Sequence, residues 1–213
     1  MLVELVLDAL SDDRRQTADD TMLAVRRPSS VVSLLDIGTG SGAVPIAVAS
    51  KLPTAKIMAS DVSAEALAVA RMNAEHNNVA HQINFVQSDL LAGIDELPRV
   101  ITANLPYVTT DEIEGLQPEI QDHEPRVALD GGVDGLDLVR RLLGQIAQRA
   151  ETRCIGFRAA ASLQAVFMEF GASQGAAVLK AAQEILPFAQ SEIKQDLAKL
   201  DRVLCIHFKS LIL

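Results

Sequence analysis

The sequence has no tryptophan, one tyrosine (Tyr107), six phenylalanines and two cysteines in 213 residues. So few rings leave little from which to build the stacking platforms that hold single-stranded nucleic acid, and the core must be aliphatic. Cys154 and Cys205 lie far apart in apolar surroundings, the pattern of reduced, buried thiols in a cytoplasmic protein. Basic residues are outnumbered, 19 Lys and Arg against 28 Asp and Glu, for a net charge of −9. Basic patches supply the affinity for phosphate backbones, so this balance opposes stable nucleic-acid binding. No apolar run approaches the roughly 18 residues of a membrane span. The opening MLVELVLDAL carries Glu4 and Asp8 and lacks a basic start and a small-residue cleavage site. Its apolar spacing (Leu2, Leu5, Val6, Ala9, Leu10) reads as a helix face and not as a leader. His76, His81, His123 and His207 show no metal-ligand spacing, and no metal site is expected.

Apolar residues make up 49% of the chain, enough for a core that needs no disulfide or metal staple. The patterning predicts a helix and loop over residues 1–30, then strands over 31–36, 56–60, 82–87, 100–103 and 163–170. Helices are expected over 42–51, 63–76, 136–150 and 174–186, with Ser63 as the cap of the second. Residues 105–133 hold Pro106, Pro118, Pro125, Gly115, Gly131 and Gly132 without a sustained period, and read as a long irregular excursion. Residues 192–197 and 202–208 form a closing strand pair whose short link requires antiparallel pairing. Alternating strands and helices mean an α/β fold, a mostly parallel seven-stranded sheet covered on both faces. Residues 1–213 are expected to form a single domain, with 31–213 as its α/β core.

Two motifs carry chemistry. Asp36-Ile37-Gly38-Thr39-Gly40-Ser41-Gly42 follows a strand and opens a helix. Its glycines let the backbone turn tightly and approach a ligand, and the helix N-terminus adds positive potential. Such a turn serves a dinucleotide or S-adenosylmethionine. The order G-x-G-x-G, directly preceded by an Asp, favours the second. Asp61 falls at the end of the second strand, where a carboxylate can accept both ribose hydroxyls of an adenosine. Asp89 falls at the end of the third, where it can meet the adenine amino group. The second motif, Asn104-Leu105-Pro106-Tyr107, ends the fourth strand. An Asn side-chain oxygen and the next backbone carbonyl, that of Leu105, can accept both hydrogens of a planar NH2 group, and Tyr107 can pack on its plane.

Together these motifs resemble the class I S-adenosylmethionine-dependent methyltransferases that carry an N-P-P-Y-type amino-methylating motif. Adenine in DNA, adenine in rRNA and a glutamine amide in protein are the substrates that share it. Residues 124–140, EPRVALDGGVDGLDLVR, after ANLPYV, resemble the HemK-type protein-(glutamine-N5) methyltransferases, which act on peptide chain release factors. MEFGASQGAAV (168–178) and DLAKLDRVL (196–204) resemble that family's closing elements. The resemblance implies that Asp36, Gly38, Thr39, Gly40, Ser41 and Gly42 hold the methionine part of S-adenosylmethionine, Asp61 its ribose, and Asp89 with Leu90 its adenine. S-adenosylhomocysteine is the implied product. Asn104, Leu105, Pro106 and Tyr107 would hold the glutamine amide, with Asn104 also beside the cofactor, and Glu124, Pro125 and Arg126 would shape the wall. Arg126 would either guide the substrate or pair with a loop carboxylate. Asn104, Pro106 and Tyr107 are the expected catalytic set, and no general base is assigned. The implied partner is a release factor bearing Gly-Gly-Gln. The alternatives are an adenine-N6 methyltransferase acting on rRNA or DNA and an inactive cofactor-binding remnant.

Three features depart from that family. Met1 falls where its methyltransferase domain begins, so the usual N-terminal helical domain is expected to be missing. Leu105 replaces a proline that would fix φ, and N-L-P-Y is also the form of the rRNA adenine dimethylases. Residues 151–162, ETRCIGFRAAAS, stand where the family shows a Pro-Gly-Gly turn.

Overall fold

A computed structural model describes residues 1–19, 33–115, 126–152 and 163–208. Pro118, His123, Glu124, Pro125, Cys154 and nearly all of the unmatched 151–162 stretch lie outside the described residues.

Helix α1 spans Leu2–Asp19 and buries Leu2, Val6 and Leu10, the i, i+4, i+8 stripe of an amphipathic helix. Strand β1 (Leu34–Ile37) is buried throughout. It leads through the glycine turn into α2 (Ala43–Lys51). Strand β2 (Ile57–Asp61) leads into α3 (Ala64–His76), which Ser63 caps by accepting the Ala66 N–H at its side-chain oxygen. Strands β3 (Ile83–Gln87) and β4 (Val100–Asn104) follow; β4 is buried up to its exposed last residue, Asn104. Burial on both faces accounts for the mainly apolar character of β1 and β4, each interrupted by one buried polar residue, Asp36 and Thr102.

Among its described residues the irregular stretch contains short elements that periodicity does not reveal. Helix α4 (Thr110–Ile113) is a single turn held by a capping box between Thr109 and Glu112. A 3-10 turn covers Arg126–Ala128. Then come α5 (Asp137–Thr152), β5 (Ala165–Glu169), α6 (Gly175–Ile185), β6 (Gln190–Gln195) and β7 (Asp201–His207).

The seven strands are ordered β3-β2-β1-β4-β5-β7-β6. Strands β2 and β4 flank β1 in parallel, with Ile37 beside Ser60 and Ala103, so all three leave the sheet at one edge. The last pair, β6 and β7, is antiparallel with an irregularity at Lys194/Gln195, as the short link requires. The chain divides into two compact units. The first holds Met1–Ala103 and β5 as far as Phe167; the second runs on from Asn104 and resumes at Met168. Cys205 is a free, buried thiol, and burial pushes it up to about 11. Among the described residues no helix is long and apolar enough to cross a membrane.

Candidate active site

In the first unit the turn after β1 is built around two carboxylates. Asp61, half-buried at the end of β2, accepts the Gly40 N–H at Oδ2 (2.9 Å) and the Ser63 N–H at Oδ1 (3.0 Å). Each oxygen keeps a further lone pair. The turn is also held by Thr39 N–H donating to the Ser60 carbonyl (2.9 Å) and Gly42 N–H donating to that of Thr39 (2.9 Å). From α3, Asn73 donates to the Ser41 carbonyl (2.9 Å). Gly42 must be glycine twice over. Its φ is +83°, and a Cβ there would stand 3.1 Å from the Ala70 Cβ.

Asp36 is buried beneath this turn and accepts the Thr102 hydroxyl at 2.6 Å. Burial raises its carboxyl from the ordinary 3.8 to about 6; the hydroxyls of Thr102 and Thr39 oppose that rise and the charge of Asp61 adds to it. Thr39 Oγ1, itself buried, makes no hydrogen bond of normal geometry, so its influence on Asp36 is that of a nearby dipole. A raised carboxyl binds its proton more tightly folded than unfolded. Its contribution to stability is therefore complete below the unfolded value and falls as pH rises through about 6, by up to about 3 kcal/mol. Asp36→Asn keeps an oxygen for Thr102 and should flatten that decline. Urea titrations between about pH 4 and 7 check this, and an unchanged pH profile would contradict it.

Asp89 lies two residues beyond β3 and is exposed. Leu90 beside it is buried with φ +52°, an uncommon conformation for a bulky side chain. Ser88 pins the loop: its hydroxyl donates to the Leu90 carbonyl (3.0 Å) and accepts the Gly93 N–H (2.9 Å).

In the second unit the chain leaves β4 through exposed Asn104, buried Leu105 and half-buried Pro106 and Tyr107. The glycine-rich segment behind it acts as a clamp. Val108 N–H donates to the Leu129 carbonyl (3.0 Å) and Gly131 N–H to the Val108 carbonyl (2.8 Å). Asp130 Oδ1 accepts the Thr110 hydroxyl (2.9 Å) and the Gly132 N–H (3.0 Å); the Gly132 N–H above all holds this carboxyl below its ordinary range. Gly135, at φ +72°, leaves no room for a Cβ, which would overlap Gln174 Nε2 and the Tyr107 carbonyl. Arg126 is paired with Asp130 at 3.6 Å and is largely exposed. A cavity of about 530 Å³ opens here, lined by Tyr107, Glu112, Gln174 and Arg202 among others.

Thr102, Asp130 and Gln174 are among the residues of these arrangements that the sequence-based set lacks. Thr102 supports Asp36, Asp130 ties the loop after β4, and Gln174 reaches the Tyr107 carbonyl. Among the described residues no group of His, Cys, Asp and Glu could hold a metal ion.

The Methyltransferase small domain family matches residues 15–117. The release factor glutamine methyltransferase of Rhodopirellula baltica is 37% identical over 147 residues, 68% of this chain and 47% of that protein. That of Moorella thermoacetica is 36% identical over 176 residues, 82% of this chain and 58% of that protein. The chain thus spans about half the length of these curated relatives. Among solved structures, the N-terminal domain of human METTL16 in complex with SAH superposes with a TM-score of 0.59 at 17% identity, over 97% of this chain and 68% of that one. The chain is a class I methyltransferase in fold. Within that fold its sequence is similar to the release factor glutamine methyltransferases. In this sheet β1 to β4 pair in parallel and β6 with β7 antiparallel.

Proposed function

We propose that the chain transfers a methyl group from S-adenosylmethionine to the side-chain amide nitrogen (N5) of the glutamine in the Gly-Gly-Gln motif of peptide chain release factors. The observation that carries this reading is exposed Asn104 at the carboxyl end of β4. Open parallel sheets bind their ligands at that end of the strands. The similarity to release factor glutamine methyltransferases supports the choice of substrate.

The residues after β1 and β2 fit a methyl donor that carries an adenosine and an amino acid. Thr39 has a buried hydroxyl without a hydrogen-bond partner. A Cβ at Gly40 would meet nothing within 4 Å, so the turn borders open space. Both Asp61 oxygens keep lone pairs for a pair of ribose hydroxyls. Gly38, Gly40, Ser41 and Gly42 would cradle the methionine part, with Asp36 beneath, and Asp89 with Leu90 would flank the adenine. When bound, S-adenosylmethionine supplies an electrophilic sulfonium methyl.

Asn104 Oδ1 and the Leu105 carbonyl would each accept one hydrogen of the glutamine NH2, and the Tyr107 ring would pack on the amide plane, with Pro106 stiffening the turn between them. An amide nitrogen is a poor nucleophile because its lone pair is delocalised. Two acceptors aimed at its hydrogens orient the remaining electron density and stabilise positive charge that develops on nitrogen. Such orientation is worth about 7–11 kcal/mol in favourable cases. With the donor bound, the amide nitrogen would gain the methyl carbon that sulfur gives up, and would lose its proton to solvent. The same acceptors reject a glutamate carboxylate, which brings no hydrogens, and leaving each acceptor unpaired costs about 1–3 kcal/mol.

The test is to incubate the protein with S-adenosylmethionine labelled in its methyl group and a release factor, with an adenine-containing RNA and DNA in parallel. Label on the Gly-Gly-Gln glutamine is expected. Label on adenine instead, or none on any of them, would overturn the proposal.

A further inference from the structure

Gln174, between β5 and α6, has no part in the chemistry described above. It is 9% exposed, yet its amide is fully engaged. Oε1 accepts the Gly171 N–H at 2.9 Å. Nε2 donates to the Tyr107 carbonyl at 2.8 Å and to the Asp134 carbonyl at 3.1 Å. This pattern admits one orientation of the amide, because a flipped group would aim its oxygen at two carbonyls. The surroundings leave it no slack. A Cβ at Gly135 would overlap Nε2, and one at Gly171 would stand 3.0 Å from Oε1 and 3.3 Å from the Tyr107 ring. Gln174 therefore ties three chain segments together, and one of the tied groups is the carbonyl of the residue whose ring faces the substrate in the proposed reaction.

We infer that Gln174 is a positioning residue: its side-chain amide sets the backbone of Tyr107, and so the pose of the Asn104–Tyr107 segment toward the substrate amide. The Gln174 amide donates to the Tyr107 carbonyl at 2.8 Å, and the lack of side chains at Gly135 and Gly171 brings the backbone close enough for one glutamine to span it. The effect on turnover rests on the glutamine-methylation reading; the coupling of Gln174 to Tyr107 does not.

Two variants separate this role from simple core packing. Gln174→Glu keeps the acceptor for Gly171 but presents no hydrogen to either carbonyl when ionised. Gln174→Met keeps the volume and removes all three hydrogen bonds. With no tryptophan and Tyr107 as the one tyrosine, tyrosine emission reports on this segment alone. In both variants acrylamide quenching of that emission is expected to rise. The kcat on a release factor should fall about tenfold or more, as one or two lost buried hydrogen bonds imply, while the Kd for S-adenosylhomocysteine by calorimetry stays unchanged. A residue that only fills space would lower Tm and leave the quenching of the folded protein as it was. Unchanged quenching in both variants, or a loss of cofactor affinity that matches the loss of turnover, would overturn the inference. Should the wild type fail to methylate a release factor, the emission measurement still decides the coupling.

Discussion

Replacing Asn104 by alanine is expected to lower kcat on a release factor by about 10²–10³-fold and to leave the Kd for S-adenosylhomocysteine unchanged. That is the effect of removing one well-aimed group from a site that works by orientation and charge stabilisation. Asn104 is exposed and ends β4, so its truncation leaves no buried group unpaired and opens no cavity. The fold should persist, and a Tm within about a degree of the wild type is the control, since surface substitutions away from special features change little. Asn104→Asp is the informative companion. It keeps an acceptor at the same place but adds a charge, and it should recover part of the turnover that alanine loses. Near-normal turnover of the alanine variant would remove Asn104 from the reaction. An equal loss of cofactor affinity would move its role from the substrate to the cofactor.

The second large effect is expected at Asp61. Its two oxygens each accept a backbone N–H, from Gly40 and from Ser63, and so join the glycine turn after β1 to the start of α3. Asp61→Ala removes the proposed acceptor for the ribose hydroxyls and unties the turn. Hydrogen bonds to a charged group contribute about 1.5–3 kcal/mol each, so S-adenosylhomocysteine should bind about a hundredfold more weakly by calorimetry. Asp61→Asn presents one acceptor oxygen and should fall between alanine and wild type. The two single changes distinguish the two proposed roles: Asn104→Ala alters turnover without affinity, and Asp61→Ala alters affinity first. An Asp61→Ala protein that bound S-adenosylhomocysteine as tightly as the wild type would take Asp61 out of the cofactor site.

Much of the fold is legible along the chain because local rules govern it. Ser63 announces α3 through the preference of short polar side chains for the cap position, and the short link between β6 and β7 permits only an antiparallel pair. Strand ends show as apolar runs stopped by Asp, Asn or Gly, which is why Asp61 and Asn104 fall where the pattern puts them. The boundaries move by a residue or a few, as at β5, where the apolar run from Leu163 to Phe170 exceeds the ladder Ala165–Glu169. Helix α4 is legible in another way: Thr109 and Glu112 have capping-box spacing, but a single turn has no apolar period to mark it.

The contacts that shape the candidate site are less legible because they join distant positions. Nothing near Thr102 says that its hydroxyl meets a buried carboxylate on the neighbouring strand. The segment E-P-x-x-A-L-x-G-G-x-D-G-L is recognisable by family, yet its physical task emerges only when Asp130 and Gly131 are seen to hold Val108 and Thr110. Gln174 reads as an ordinary helix-start residue; its value lies in reaching back to Tyr107, 2.8 Å away.

The close fit of Gly42 against Ala70 has a consequence for how this chain can diverge. The two positions are distant in sequence, one in a loop and one in the middle of a helix, but they satisfy a single steric demand. Ala70 is fully buried, and any side chain at 42 would have to share its space. Drift at these two sites is therefore coupled, and α3 inherits the intolerance of the loop it supports.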